Sequence, residues 1–335
     1  GSDVPGKRHT YPEMAAAGLW TTAGDLALFV VELQNALRGF SELMSQDMAW
    51  YMVYPVDSGY SLGLSVKDQG GAGYFGHGGW DEGFSAEMVA SIDQGYGVVV
   101  MTNSNHPAFI KEVIRGVGFA YGWGGFSVQE KFEVPREALE NAPGRYRYDG
   151  ATAINIYREG DRLFMRYTGE KPEELFFVGN DQFLRRTRET PVKFTGSGDQ
   201  RTFNFVVSSD DQPPRNLLAA DENLPGEVLE KGSFEEAVAA YRAALKAHPD
   251  EQALSEDGIN RSGLDKLVTN IEFATAILRI NTLLYPGSAN TWDSLGKAYK
   301  VAGQKAKAIE NYQAALQRDP DLYTARMALK ELAGE

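Results

Sequence analysis

The sequence has no cysteine, which excludes disulfides, thiolate metal sites and thiol nucleophiles and leaves the redox compartment unreadable. Histidine is scarce too. The four, His9, His77, His106 and His248, are far apart and none has a ligand-spaced partner such as H-x-x-x-H, so neither a metal site nor a cofactor is expected. Basic residues are outnumbered, 33 against 46 acidic, and a net charge of -13 without a basic stripe argues against nucleic acid and anionic membranes as partners. No run approaches the roughly 18 apolar residues that a membrane span needs. Gly1-Ser2-Asp3 opens without a signal segment, and Gly1-Ser2 reads as a cloning scar, so the natural N-terminus is expected upstream. What is present, 335 residues with 43% hydrophobic content, suits two or three soluble globular domains.

After a polar lead with Pro5 and Pro12, Thr21 or Thr22 suits the N-cap of a helix. Leu26, Phe29, Val30 and Leu33 form its apolar face, and it runs to about Leu37. A shorter helix is expected over Ser41 to Tyr51. Alternation then predicts strands at Tyr60 to Val66, Phe84 to Ile92 and Val98 to Met101, an antiparallel sheet of at least three members. A helix from Pro107 to Tyr121, with Phe109, Ile110, Val113 and Ile114 on one side, can cover one face.

Residues 126–142, polar and with two prolines nearby, read as a linker. From 143 to 213 short alternating segments follow one another between turn signals: Ala153 to Tyr157, Arg162 to Tyr167, Leu175 to Val178, Gln182 to Arg186 and Thr202 to Val207. That rhythm predicts a small barrel or sandwich. Residues 216–335 read as helical throughout. There Trp292, Leu295, Gly296, Tyr299, Gly303, Ala308, Tyr312, Ala315 and Pro320 follow the tetratricopeptide pattern, and Pro286 to Pro320 spans its 34-residue period. Gly232, Ala237, Tyr241, Ala244 and Pro249 repeat its second half, and Ala274 and Pro286 mark a degenerate middle copy. The last repeat shows no obvious capping helix before Glu335.

Two catalytic-looking motifs are set aside. Gly71-x-Gly73-x-x-Gly76 matches a dinucleotide fingerprint but runs into another strand, not the helix that pyrophosphate requires. Ser294-x-x-Lys297 has nucleophile-base spacing, yet lies inside the repeat signature, where packing and solvation explain it. His106, at a strand-to-helix exit, suits a helix cap; His248 sits at a repeat boundary. The richest stretch is Gly76-His77-Gly78-Gly79-Trp80-Asp81-Glu82-Gly83-Phe84. A histidine among glycines can titrate near neutrality beside backbone that a ligand can approach; the alternative is a glycine-rich hairpin whose histidine caps a turn.

Four segments taken in order decide between these. Ala16-Ala17-Gly18-Leu19-Trp20-Thr21-Thr22-Ala23-Gly24-Asp25-Leu26-Ala27, then Gly59-Tyr60-Ser61-Leu62-Gly63-Leu64, then Phe75 to Gly79, then Val98 to Asn103 resemble the C-terminal half of class C β-lactamase and penicillin-binding-protein-like serine hydrolases. The resemblance covers roughly residues 10–122. It implies an α+β multidomain chain: a partial β-lactamase-like antiparallel sheet with helices (3–125), the linker, a lipocalin-like β-barrel (143–213) and tetratricopeptide-type repeats (216–335). It further implies acyl transfer through a serine ester, with His77-Gly78-Gly79 on the family's K-T-G or H-x-G triplet, His77 serving a substrate carboxylate or proton transfer, and the Trp80 N–H as an oxyanion donor. Gly78, Gly79 and Asn103 would border the substrate, a small molecule or peptide, with peptidase or esterase chemistry favoured over β-lactam hydrolysis. Neither Ser-x-x-Lys nor Tyr-x-Asn occurs in residues 1–125. The resemblance therefore implies a C-terminal piece, inactive alone, whose sheet is completed by the missing N-terminal part or another chain. A periplasmic or extracellular location follows from the resemblance only. The alternative is a non-catalytic scaffold that binds a protein partner through its repeats.

Overall fold

A computed structural model describes residues 18–57, 59–81, 83–126, 130–185, 188–206 and 213–334. His9, the prolines of the lead, Ala16, Ala17, Glu82, residues 127–129 of the expected linker and the ends of two expected strands, at Arg186 and Val207, lie outside the described residues. The chain divides into two units, residues 1–130 and 131–335.

In the first unit, Thr22 caps α1 (Ala23–Leu37) by accepting from Asp25 N at 3.1 Å. Ser45 caps α2 (Gln46–Val53), a few residues later than the pattern suggested. Then come β1 (Ser65–Gln69), β2 (Ala72–Asp81), β3 (Phe84–Ser91) and β4 (Gly97–Thr102), antiparallel in that order, and α3 (Pro107–Ala120). Side chains alternate between two cores. Tyr74, Val89, Val98 and Val100 meet Ile110 and Ile114 of α3, while Phe75, Met88, Ala90 and Val99 meet Val30, Leu33 and Leu37 of α1 and Ala49 and Val53 of α2. The sheet is therefore sandwiched between helices. Gln34, buried on α1, donates to Ser91 O at 2.8 Å and Tyr96 O at 3.0 Å, which locks α1 onto the β3–β4 hairpin.

Three expectations need correcting here. Tyr60 to Val66 is not a strand: Gly59 and Gly63 adopt φ of 84° and 80°, which break an extended run, and pairing starts at Ser65. Phe29 and Phe109, placed on buried helix faces, are exposed. Most of β2 was hidden because its glycines blur the two-residue period.

In the second unit, the expected linker turns into structure. Phe132 N donates to Phe177 O at 2.9 Å, α4 (Arg136–Asn141) follows, and Leu139 and Ala142 join the barrel core because both are apolar on the side facing it. Strands β5 (Gly144–Arg147), β6 (Ala153–Glu159), β7 (Arg162–Tyr167), β8 (Glu173–Gly179), β9 (Gln182–Arg185), β10 (Arg188–Thr195), β11 (Thr202–Phe205) and β12 (Arg215–Asn216) pair consecutively. A bridge between Tyr146 and Leu217, and Leu218 N donating to Arg145 O at 2.6 Å, bring the ends together into a nearly closed barrel. Strand β10 escaped sequence reading because Pro191 interrupts it; the proline sits where the register shifts, the position a strand tolerates.

Helical structure begins at Pro225, later than position 216. Helices α5 (Pro225–Glu230), α6 (Phe234–Ala247), α7 (Glu256–Asp265), α8 (Ile271–Leu284), α9 (Ala289–Val301) and α10 (Lys305–Arg318) form three successive pairs. The repeat signature explains itself in α9 and α10. A Cβ on Gly296 would lie 2.8 Å from the Tyr312 ring, so glycine permits the close crossing, and Leu295, Ala298, Tyr299, Ala308 and Ala315 are buried around it. Ser294 is buried in this packing and Lys297 is exposed, as the packing explanation requires. A further helix, α11 (Tyr323–Ala333), corrects the expectation of an uncapped end. It buries Ala325 against the last pair and ties Thr324 to Asp293 at 3.0 Å and Glu331 to Lys300 at 2.5 Å.

The first helices are fused to the barrel. Glu227, buried, takes Arg145 Nη2 at 2.6 Å; Glu230 takes Arg166 Nη1 at 2.5 Å and Gly169 N at 2.7 Å; Gly226 N donates to Ala151 O at 2.9 Å.

Candidate functional site

Strand β2 runs ten residues, but β1 pairs only with Ala72 to Gly76. Beyond that point β2 keeps β3 on one side and has no β1 partner on the other. His77, Gly78, Gly79 and Trp80 occupy this outer half and all four are exposed. The chain then reverses between Asp81 and Phe84, with Gly83 at φ 83°, so His77 stands four residues before the turn and does not cap it.

The glycines differ in what the fold asks of them. At Gly76 a Cβ would lie 2.6 Å from Met88 O, a clash that makes glycine obligatory. At Gly78 and Gly79 the nearest atoms to a Cβ are Ala86 O at 3.8 Å and Ala86 Cβ at 3.9 Å, ordinary contacts, and neither residue has positive φ. The chain's own packing does not require glycine there.

Alternation places His77 and Gly79 on the α1–α2 side with Phe75, and the Trp80 side chain on the α3 side with Tyr74. A backbone role for Trp80 is independent of where its ring points. Phe84, paired with Asp81 and therefore on the His77 side, meets Trp20 edge-to-face at 5.4 Å. This aromatic wall was missed from sequence, although Trp20 lies within the first matched segment.

Asn103 follows the end of β4. The register sets Trp80 opposite Ser85 and Ser85 opposite Thr102, so Asn103 lies near the level of Trp80. His77, level with Val99, is about 13 Å away along the strands and about 10 Å across them. The structure does not bring His77 and Asn103 together. Asn105, unsuspected from sequence, ties this end of the sheet: its Oδ1 accepts from Gly83 N at 2.9 Å, while Ser85 Oγ donates to Ser104 O at 2.8 Å. His106 caps α3 as expected, its Nδ1 accepting from Phe109 N at 3.1 Å.

Among the described residues no three metal-ligating side chains converge, and no helix is long and apolar enough to cross a membrane. In the second unit a cleft of about 250 Å³ beside Phe132 is occupied by paired charges, with Lys131 and Arg162 3.8 and 3.7 Å from Glu174.

The first unit is thus a helix-sandwiched antiparallel sheet with one strand open at its end, and the second a barrel followed by stacked helix pairs. Residues 1–119 match the family model described as Beta-lactamase, and residues 289–322 match that of the Tetratricopeptide repeat. The chain is thus similar to the β-lactamase family over its first 119 residues and to a tetratricopeptide repeat near its C-terminal end. No curated protein matches. Among solved structures, SurE with D-Leu is 17% identical over 59% of this chain and 50% of its own, with a TM-score of 0.33. The octameric penicillin-binding protein homologue from Pyrococcus abyssi is 19% identical over 58% and 46%, at 0.29. The first TPR of Spaghetti (RPAP3), bound to HSP90 peptide SRMEEVD, is 16% identical over 33% and 85%, at 0.24. The chain spans about half the length of the SurE structure.

Proposed function

We propose that residues 3–125 are the C-terminal portion of a serine hydrolase domain and supply one wall of an acyl-transfer site. The observation that carries this reading is the outer half of β2: an exposed histidine followed by two glycines that the chain's own packing does not require. Glycine at such positions lets another group approach the backbone closely. In the acyl-transfer reading that group is the substrate. The Trp80 N–H holds the tetrahedral oxyanion, and His77 donates to a substrate carboxylate or relays a proton. Gly78 and Gly79 keep the wall flat, and Asn103 borders its far end. The nucleophile and base come from the missing N-terminal part of the domain or from another chain, which also pairs the free sheet edge and covers the exposed apolar side chains. The substrate is a small ester or peptide in preference to a β-lactam. The barrel of residues 143–213 is read as a lipocalin-like accessory domain.

Hydrolysis of p-nitrophenyl acetate tests this reading. The chain alone gives no turnover; a form extended upstream of Asp3 to include Ser-x-x-Lys turns over, and His77→Ala in that form lowers kcat/KM about 10²-fold. Turnover that survives His77→Ala removes the assigned role.

A second reading, a peptide-binding scaffold, is favoured by one observation: α11 packs on the last helix pair and extends the stacked helices that form a solenoid surface. Peptide-library selection on the full chain tests it. Enriched peptides that are lost on Lys297→Glu, an exposed position of α9, support the scaffold, and no enrichment removes it.

A further inference from the structure

The barrel interior is layered. Alternation along each strand puts Tyr146, Met165, Leu175, Phe183 and Phe203 in the apolar core. The next inward positions, two residues toward the end bordered by the helices, are Tyr148, Tyr167, Glu173, Arg185 and Phe205, joined by Arg215 of β12. Here the interior changes from apolar to charged.

The side chains of this layer form a closed ring. Arg185 Cζ lies 5.9 Å from the Tyr167 ring centre and 5.6 Å from that of Phe205, Arg215 Cζ lies 4.7 Å from Phe205 and 5.3 Å from Tyr148, and Tyr148 meets Tyr167 edge-to-face at 5.1 Å. Two guanidinium groups thus share one phenyl ring, which holds like charges on either side of it. The Arg185 side chain is only 9% exposed; its ion partner, Glu173, is 3.9 Å away, too far for a hydrogen bond, and its buried Nε has no acceptor. A buried guanidinium whose Nε has no acceptor is kept against a desolvation penalty. Filling such a layer with leucine or phenylalanine would have continued the core beneath it.

We propose that this barrel mouth binds a small carboxylate, seated on Arg185 with Arg215 as second cation and its hydrocarbon part against Tyr148, Tyr167 and Phe205. The Nε–Nη edge of a guanidinium matches a planar pair of oxygens, and the aromatic walls suit an apolar substituent on that pair. A phosphate dianion would lack the apolar part and would face the Glu173 carboxylate.

Isothermal titration calorimetry on the full chain tests this with benzoate, its neutral counterpart benzamide, and inorganic phosphate. The expected result is one-to-one benzoate binding, with benzamide and phosphate at least tenfold weaker. Arg185→Gln weakens benzoate at least tenfold, while Arg158→Gln on the outer surface of the barrel changes nothing. If circular dichroism shows that Arg185→Gln fails to fold, Arg185→Lys, which keeps the charge but lacks the Nε donor, carries the same tenfold expectation. The proposal is overturned by folded wild-type protein that shows no saturable benzoate binding, by benzamide or phosphate binding as tightly, or by benzoate affinity indifferent to the Arg185 substitutions.

Discussion

The sheet of the first unit and the barrel of the second are both made of consecutive antiparallel hairpins, yet they finish differently. The barrel brings β12 back to β5 and buries an aromatic core that includes Tyr146, Phe183 and Phe203. The four-stranded sheet has two outer strands, pairs only half of β2 with β1, and exposes Trp80, Phe84 and Met101; Leu62 just before β1, and Trp20, Phe40 and Leu43 beside α1 and α2, are exposed too. Closure pairs every strand of one assembly; its lack leaves the other with a half-unpaired β2 and exposed apolar side chains. Function is therefore sought at the open strand of the first unit, where the interior logic of the fold stops explaining the residues.

The sharpest test of that contrast is a pair of leucines. Leu163→Ala, fully buried in the barrel, is expected to cost about 3 kcal/mol in urea unfolding, whereas Leu62→Ala, 56% exposed, stays within about 0.5 kcal/mol. Equal losses would mean that the segment leading into β1 is as well packed as the barrel. Next comes the junction: Glu230→Ala removes the acceptor of both Arg166 and Gly169 N and should cost about 2 kcal/mol, with the barrel and helices no longer melting together. The glycines give a smaller, more pointed comparison. Gly76→Ala must displace Met88 O and should lose about 1–2 kcal/mol, while Gly78→Ala should leave stability within about 0.5 kcal/mol. A destabilising Gly78→Ala would return this glycine to a purely structural role.

The smallest effect is a pH dependence at the barrel–helix junction. Asp149 is buried, and desolvation raises its carboxyl above the ordinary value although Ala151 N and Thr152 N donate to it. A raised folded-state acid binds its proton more tightly than the unfolded chain does. Stability contributed by the protonated form is present at low pH and is lost as pH rises from about 4 through the folded value. Asp149→Asn, which keeps the accepting oxygen, should be the more stable protein at pH 7 and lose that advantage as pH falls. A constant difference across the titration contradicts the assignment.

Much of this organisation was legible in the sequence because several signals agreed at the same residues. Arg162 to Tyr167 alternates cleanly between two turns, and the strand occupies just those residues. Thr22 and His106 were readable as caps because each precedes a helical pattern by the right offset. What escaped lacked a local signal. The strand at Arg188 to Thr195 carries a proline at a bulge, and α11 has no repeat signature because a capping helix needs only one apolar side. At the candidate site the triplet is singled out by its resemblance alone. The separation of His77 from Asn103 was not, because strand register is set by tertiary pairing and one residue type cannot report it. The charged layer inside the barrel was invisible for the same reason: Arg185 and Arg215 look like surface residues until alternation and closure turn them inward.

The outer half of β2 is proposed as one wall of an acyl-transfer site completed from outside this chain. The direct measurement is p-nitrophenyl acetate turnover by this chain before and after mixing with a polypeptide that carries the upstream Ser-x-x-Lys and Tyr-x-Asn motifs, for wild type and for His77→Ala. The expected result is no turnover before mixing, turnover after it, and a loss of about 10²-fold in kcat/KM for His77→Ala. Turnover by the unmixed chain, or equal rates for wild type and His77→Ala after mixing, would contradict it.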